Sequence, residues 1–293
     1  MNLDNFGLDT ITFAGSLEAK LDATRAAGFG HIMLSIADIV GHPKGEQAAI
    51  SAVRASGLRV TGLQMLRDFQ GRSGHRRASK VEVAKSMLQM CHALGSQVLL
   101  ACSAVSDYAV GDSESLKSDL RKLATLAVPL RVRIAYEVPS WGNYLQEFTQ
   151  IWDVIRGADR SNLGIVLDSF HVLASGTDLE ILPKIDPAKV FLVQLSDFMG
   201  QNARSPADRL DAGRAFRVFP GSGVHSGLIA EFVRDLHDMG YRGDYSFEVF
   251  NEDDKQLPPR LVAERARRSV KWLTGLVSRR SLPMRRSGSS ARQ

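Results

Sequence analysis

Four polar residues lie where polar residues are costly, and their types define a chemistry. Glu137 ends the run RIAYE and Asp168 ends GIVLD, while Gln194 lies in FLVQLSD and Glu248 in YSFEVFN. Each sits in an otherwise apolar stretch, and an unpaired carboxylate buried there is expensive. Three carboxylates brought to one place repel one another, and a divalent cation removes that conflict. Three carboxylates plus an amide oxygen form a hard, oxygen-rich set that suits one Mg2+ or Mn2+, with Co2+ tolerated. The competing reading pairs each carboxylate with a nearby arginine. It explains one such residue as well as a metal does, and four in succession less well.

His171 follows Asp168 by three residues in LDSFH. It leaves the same strand end as a candidate ligand and is therefore the candidate general base. Arg67 and Asp68 follow another apolar run in LQMLRDFQG, and Arg214 and Arg217 flank Phe216 in GRAFRVFPGSG. Arginines at strand ends are natural clamps for a substrate carboxylate. A plain surface salt bridge is the alternative for each.

Such residues need elements to position them. Short β-branched runs alternate with longer helical ones, which is the pattern of βα units and a parallel sheet. The expected strands are 10–13, 31–35, 59–65, 97–101, 133–137, 164–168, 190–195 and 245–250. Eight strands favour a closed (β/α)8 TIM barrel of the α/β class, since closure removes both sheet edges. Expected helices are 17–27, 81–94, 116–127, 144–155, 228–239 and 261–277. Gly28, Gly95 and Gly240 read as left-handed helix stops. No GxGxxG follows a strand and no P-loop is present. Long loops at about 67–80 and 197–226 leave C-terminal strand ends, where barrel active sites sit.

Composition narrows the class. The 293 residues are 44% hydrophobic and 24% charged, an ordinary globular balance. One domain over 1–278 accommodates the pattern. Residues 279–293 carry five arginines and no acid, and without them basic and acidic residues balance at 32 each. The net charge of +5 thus belongs to a tail expected to be disordered, and it makes no case for nucleic acid. Cys91 and Cys102 have no metal-ligand spacing and read as buried thiols. No signal-peptide pattern and no long apolar run appear, so a cytoplasmic enzyme without membrane partners is the expectation. The sequence leaves a homo-oligomer open.

At these residues the chain resembles the xylose-isomerase-like barrels of sugar isomerases, epimerases and related lyases. More narrowly it resembles the bacterial 3-dehydroshikimate dehydratases. The segments AYE…WGNY, LDSFHVL, FLVQLSDF, RAFRVFPGSG, GYRGDYSFEVFN and LQMLRDFQG carry the likeness, over about 63–251. Gln194 is its most specific piece, because the sugar epimerases typically have histidine there. The resemblance implies that Glu137, Asp168, Gln194 and Glu248 bind the metal and that His171 is a catalytic base. It implies that Arg67, Arg214 and Arg217 handle a small carboxylate substrate, Arg67 with a part in catalysis. The implied reaction is loss of water from 3-dehydroshikimate to give protocatechuate. Some members carry a further dioxygenase-like domain. The idiosyncratic loop GQNARSPADRLDAG leaves open which of Arg204, Arg209, Arg214 and Arg217 reaches the substrate. A sugar or inosose isomerase, epimerase or dehydratase on the same metal is the alternative. A multi-zinc endonuclease barrel is disfavoured, because of the seven histidines only His171 adjoins a candidate ligand.

Overall fold

The computed structural model describes residues 3–103, 112–200, 203 and 205–279. Eight of its strands close into a barrel of parallel neighbours. They are β1 (Phe6–Asp9), β2 (His31–Ser35), β3 (Arg59–Arg67), β4 (Val98–Cys102), β5 (Arg133–Glu137), β6 (Leu163–Asp168), β7 (Val190–Leu195) and β10 (Tyr245–Phe247). The remaining pair, β8 (Asp197–Phe198) and β9 (Arg217–Val218), forms a small antiparallel ribbon. Helices α1 (Leu17–Ala26), α2 (Ile36–Val40), α3 (Glu46–Ser56), α4 (Gly74–Leu94) and α5 (Ser113–Ala127) follow the first strands. Then come α6 (Phe148–Ala158), α7 (Ser169–Ser175), α8 (Pro206–Ala215), α9 (Ser226–Asp238) and α10 (Pro259–Arg279). The (β/α)8 expectation holds. Most of the core lies between strands and helices, with a smaller cluster around Met33, Leu100, Val166 and Leu192.

The first strand differs from its expected place. Residues 10–12 form a 3-10 turn, because the Asp9 carboxylate accepts the Ile11 N–H at 3.0 Å and ends the strand. The β-branched residues that suggested a strand bond to strand neighbours instead. Thr10 Oγ1 accepts from Ser35 N, and Thr12 Oγ1 donates to the Phe247 carbonyl and accepts from Val249 N. The last strand ends at Phe247 rather than residue 250. The Glu248 N–H still donates to the Leu195 carbonyl, so its position is fixed by the sheet.

Both long loops are shorter than expected. Helix α4 begins at Gly74, which leaves 68–73 as loop. The stretch 197–226 contains β8, α8 and β9. Helix α8 carries a plain start signal, Ser205 in a reciprocal cap with Asp208 and Pro206 in the first turn. The expected tail, 279–293, has only the final α10 residue within the described range. Both cysteines are buried and unpaired. Among the described residues no helix is long and apolar enough to cross a membrane.

The opposite end of the barrel holds a titratable group in a tight fit. A Cβ at Gly7 would collide with the His31 ring. Burial pushes the His31 pKa down, against the pull of Asp244, whose carboxylate also takes a two-pronged bond from Arg59. The unfolded chain therefore binds a proton below about pH 6.5 that the folded chain refuses. Stability at this site is full above that pH and falls as pH drops below it. Urea midpoints at pH 7.5 and 5 are expected to differ more in the native chain than in His31→Gln. Equal pH dependence in the two proteins would discard this source of acid sensitivity.

Candidate active site

The C-terminal ends of β5, β6, β7 and β10 bring the expected residues to one mouth. Glu137 closes β5 and Asp168 closes β6, Gln194 is the penultimate residue of β7, and Glu248 follows β10. Asp168 and Gln194 are register partners, and Gln194 is in turn the partner of Ser246. All four side chains are buried, at 3%, 2%, 0% and 1% exposure in sequence order. Glu137 Oε2, Glu248 Oε1 and both polar atoms of the Gln194 amide have no hydrogen-bond partner among the described residues.

Arg217 partly fulfils the competing expectation. Its Nη1 lies 2.8 Å from Asp168 Oδ2 and 3.0 Å from Glu248 Oε2. The guanidinium is held between the rings of Phe170 and Phe250, and its Nε donates to the Gly213 carbonyl. Burial opposes its charge, but Asp168 and Glu248 outweigh that and raise its pKa. Burial also pushes Glu248 well above the usual carboxylate range, with Arg217 pulling the other way. One arginine does not balance three carboxylates. The charge left over, together with the orphaned oxygens, is what a divalent cation would neutralise. The residues present fit such an ion.

His171 stands beside this cluster on α7, whose first turn Asp168 caps through Phe170 N. Its Nε2 is 3.5 Å from Glu137 Oε1 and 3.6 Å from Asp168 Oδ2. Ligand atoms of Glu137, Asp168 and His171 lie within 4.8 Å of one another, so the tightest metal-capable group includes the expected base. On the far side, the Ser140 backbone N–H donates to Nδ1 at 3.1 Å. Arg217 Nη2 lies 3.5 Å from Nε2, so each ring nitrogen faces an N–H donor. The edge of Trp141 packs against the same ring, with centroids 4.7 Å apart.

A cavity of about 440 Å³ opens above these groups, lined among others by Arg67, Trp141, Arg214 and Phe250. Arg67 and Arg214 are exposed, and neither guanidinium has a partner among the described residues. Arg209 is tied to the carbonyls of Ala203 and Ser140, away from the cavity. Arg204 lies outside the described residues. Asp68 follows Arg67 with positive φ and pairs with Arg72.

Sequence reasoning missed Asp9, at the end of β1. It is wholly buried, bonds to the Gln64 side chain, and burial pushes its pKa up to about 7. The run FGLD ends in a carboxylate just as RIAYE and GIVLD do, and that signal was available once the strand was placed correctly.

The sequence profile of the xylose isomerase-like TIM barrel family matches residues 21–276. The 3-dehydroshikimate dehydratase of Pseudomonas aeruginosa is 35% identical over 265 residues, which is 90% of this chain and 41% of that protein. The chain thus spans about two fifths of the Pseudomonas relatives it matches. The Neurospora crassa 3-dehydroshikimate dehydratase is 28% identical, with 89% of each chain covered. An inosose isomerase of Bacillus subtilis is 28% identical over 65% of this chain and 66% of its own. Among solved structures, a xylose isomerase-like TIM barrel/4-hydroxyphenylpyruvate dioxygenase fusion protein superposes with a TM-score of 0.87 at 31% identity. It is matched over 94% of this chain and 43% of its own.

Proposed function

The chain belongs to the xylose isomerase-like TIM barrel family, and on that footing we propose that it dehydrates 3-dehydroshikimate to protocatechuate, in the cytoplasm. One observation favours a carboxylate substrate over a neutral polyol: Arg67 and Arg214 stand unpaired at the rim of the cavity above the carboxylate cluster. The match to the Neurospora crassa 3-dehydroshikimate dehydratase, over 89% of each chain, supports the same reading.

Glu137, Asp168, Gln194 and Glu248 would hold one divalent cation, Mg2+ or Mn2+ with Co2+ accepted, which would act as a Lewis acid on the substrate ketone. Arg217 braces two of these carboxylates, Asp168 and Glu248. Arg67 and Arg214 bind the ring carboxylate and fix which face of the ring meets His171. His171 moves the protons. With Nδ1 occupied by the Ser140 N–H, Nε2 is the atom that faces the reaction. Nε2 takes the ring proton and can then return it to the departing hydroxyl. Trp141 and Phe250 shield the ring from water.

Adding 3-dehydroshikimate to the protein with Mg2+, Mn2+ or Co2+ should produce catechol absorbance. No absorbance with any of these ions, alongside turnover of an inosose, would favour the isomerase reading, for which the inosose isomerase relatives are the support. Arg67→Ala and Arg214→Ala should each raise KM by about 10- to 100-fold, the range for losing a hydrogen bond to a charged group. Unchanged KM in both variants would mean that neither anchors the carboxylate.

A further inference from the structure

A second cavity, of about 550 Å³, adjoins the first on the side of β1 to β3, and the two share Met65 and Arg67. It is larger than the substrate cavity, so it has room for a molecule of its own. Its floor is polar and unsatisfied. Lys20 Nζ donates to Asp38 Oδ1 at 2.7 Å, with the two side chains 9% and 15% exposed. The second carboxylate oxygen, Asp38 Oδ2, is buried with no partner among the described residues. Gln64 is 1% exposed and lines the same space. Its Nε2 donates to Asp9, and its Oε1 has no partner among the described residues.

These groups specify a ligand. Buried acceptors left unpaired carry a desolvation penalty, which only a donor from the ligand or from water relieves. A hydroxyl both donates and accepts, so one placed at the ion pair gives its proton to Asp38 Oδ2 and receives one from Lys20, which has donors to spare. A neighbouring hydroxyl reaches Gln64 Oε1. Phe13, Ile36 and Met65 provide apolar wall for ring C–H bonds. Arg67, at the boundary, supplies a positive charge with no described partner.

We propose that this second cavity binds an alicyclic polyhydroxy carboxylic acid, with Lys20, Asp38 and Gln64 reading two adjacent hydroxyls and Arg67 its carboxylate. Because Arg67 borders both cavities, a molecule seated there draws the guanidinium away from the substrate side. Saturated hydroxy acids of this kind therefore weaken substrate binding without needing the carboxylate cluster.

The test is ligand-observed saturation-transfer NMR on the full chain as purified, titrating quinic acid, cyclohexanecarboxylic acid and myo-inositol. It reads binding without turnover, so its outcome is separate from that of the dehydratase assay. Quinic acid should bind more tightly than either comparison compound, one of which lacks the hydroxyls and the other the carboxylate. Asp38→Asn and Lys20→Met should weaken it about tenfold or more, the range for removing a charged hydrogen-bond partner. Ala37→Trp, an exposed lining position that leaves the ion pair untouched, should block the cavity to the same degree. Glu137→Gln should leave the affinity unchanged. The proposal is overturned if quinic acid does not bind or binds no better than cyclohexanecarboxylic acid. It is equally overturned if Ala37→Trp binds quinic acid like the native chain, or if only Glu137→Gln loses it.

Discussion

Glu137→Ala is expected to lose bound divalent metal and turnover together, with activity down by about a thousandfold or more, since Lewis-acid stabilisation supplies several kcal/mol. Glu248→Ala should behave alike. Chelation of the native protein should reproduce the loss, and Mg2+, Mn2+ or Co2+ should reverse it. The reason is the charge balance at the mouth. Three buried carboxylates share one guanidinium, and Arg217 contacts only Asp168 and Glu248 closely. Glu137 keeps one oxygen without a partner among the described residues and takes no bond from Arg217, so it has the least structural role to lose. Metal content by elemental analysis, measured with kcat and with circular dichroism as a folding control, decides the matter. Full activity in a verified metal-free sample would end the metal hypothesis.

The second large effect separates proton transfer from ligation. His171→Ala should lower kcat by ~10^2–10^4, the usual contribution of a positioned acid–base group, while metal content and KM stay near native values. Ser140 and Trp141 fix the ring from two sides, so its place does not depend on binding the ion. Yet His171 Nε2 is close enough to Glu137 and Asp168 to complete a three-membered ligand group. If metal disappears along with activity, His171 is a ligand and the four-residue oxygen set is wrong at one position. An effect confined to KM would assign the ring to substrate binding instead.

The two experiments bear on residues that could be picked out from sequence, and it is instructive to see why others could not. A carboxylate at the end of an apolar run contradicts its surroundings, and Glu137, Asp168 and Glu248 stood out for that reason. The barrel was legible from the same runs, because a strand between two helices has few other ways to bury itself. What escaped depends on distant partners. Nothing near Arg217 in the chain shows that it will be sealed between Phe170 and Phe250, residues 47 and 33 positions away by their numbering. The strand at Phe6–Asp9 was misplaced because Thr10 and Thr12 favour strands locally. Their hydroxyls instead bond to β2 and to the chain around the end of β10. Short helices such as α2 and α7 have too few turns for a periodic signal.

Helix α8 ends at a point with almost no freedom. A side chain at Gly213 would strike Trp141 and Phe170, and the carbonyl of Gly213 is held by Arg217. At its other end, the excursion is pinned where Phe198 pairs with Arg217 in the β8–β9 ribbon. The anchor glycine is thus closed to any larger side chain, and a substitution there would be felt at Trp141, Phe170 and Arg217 together.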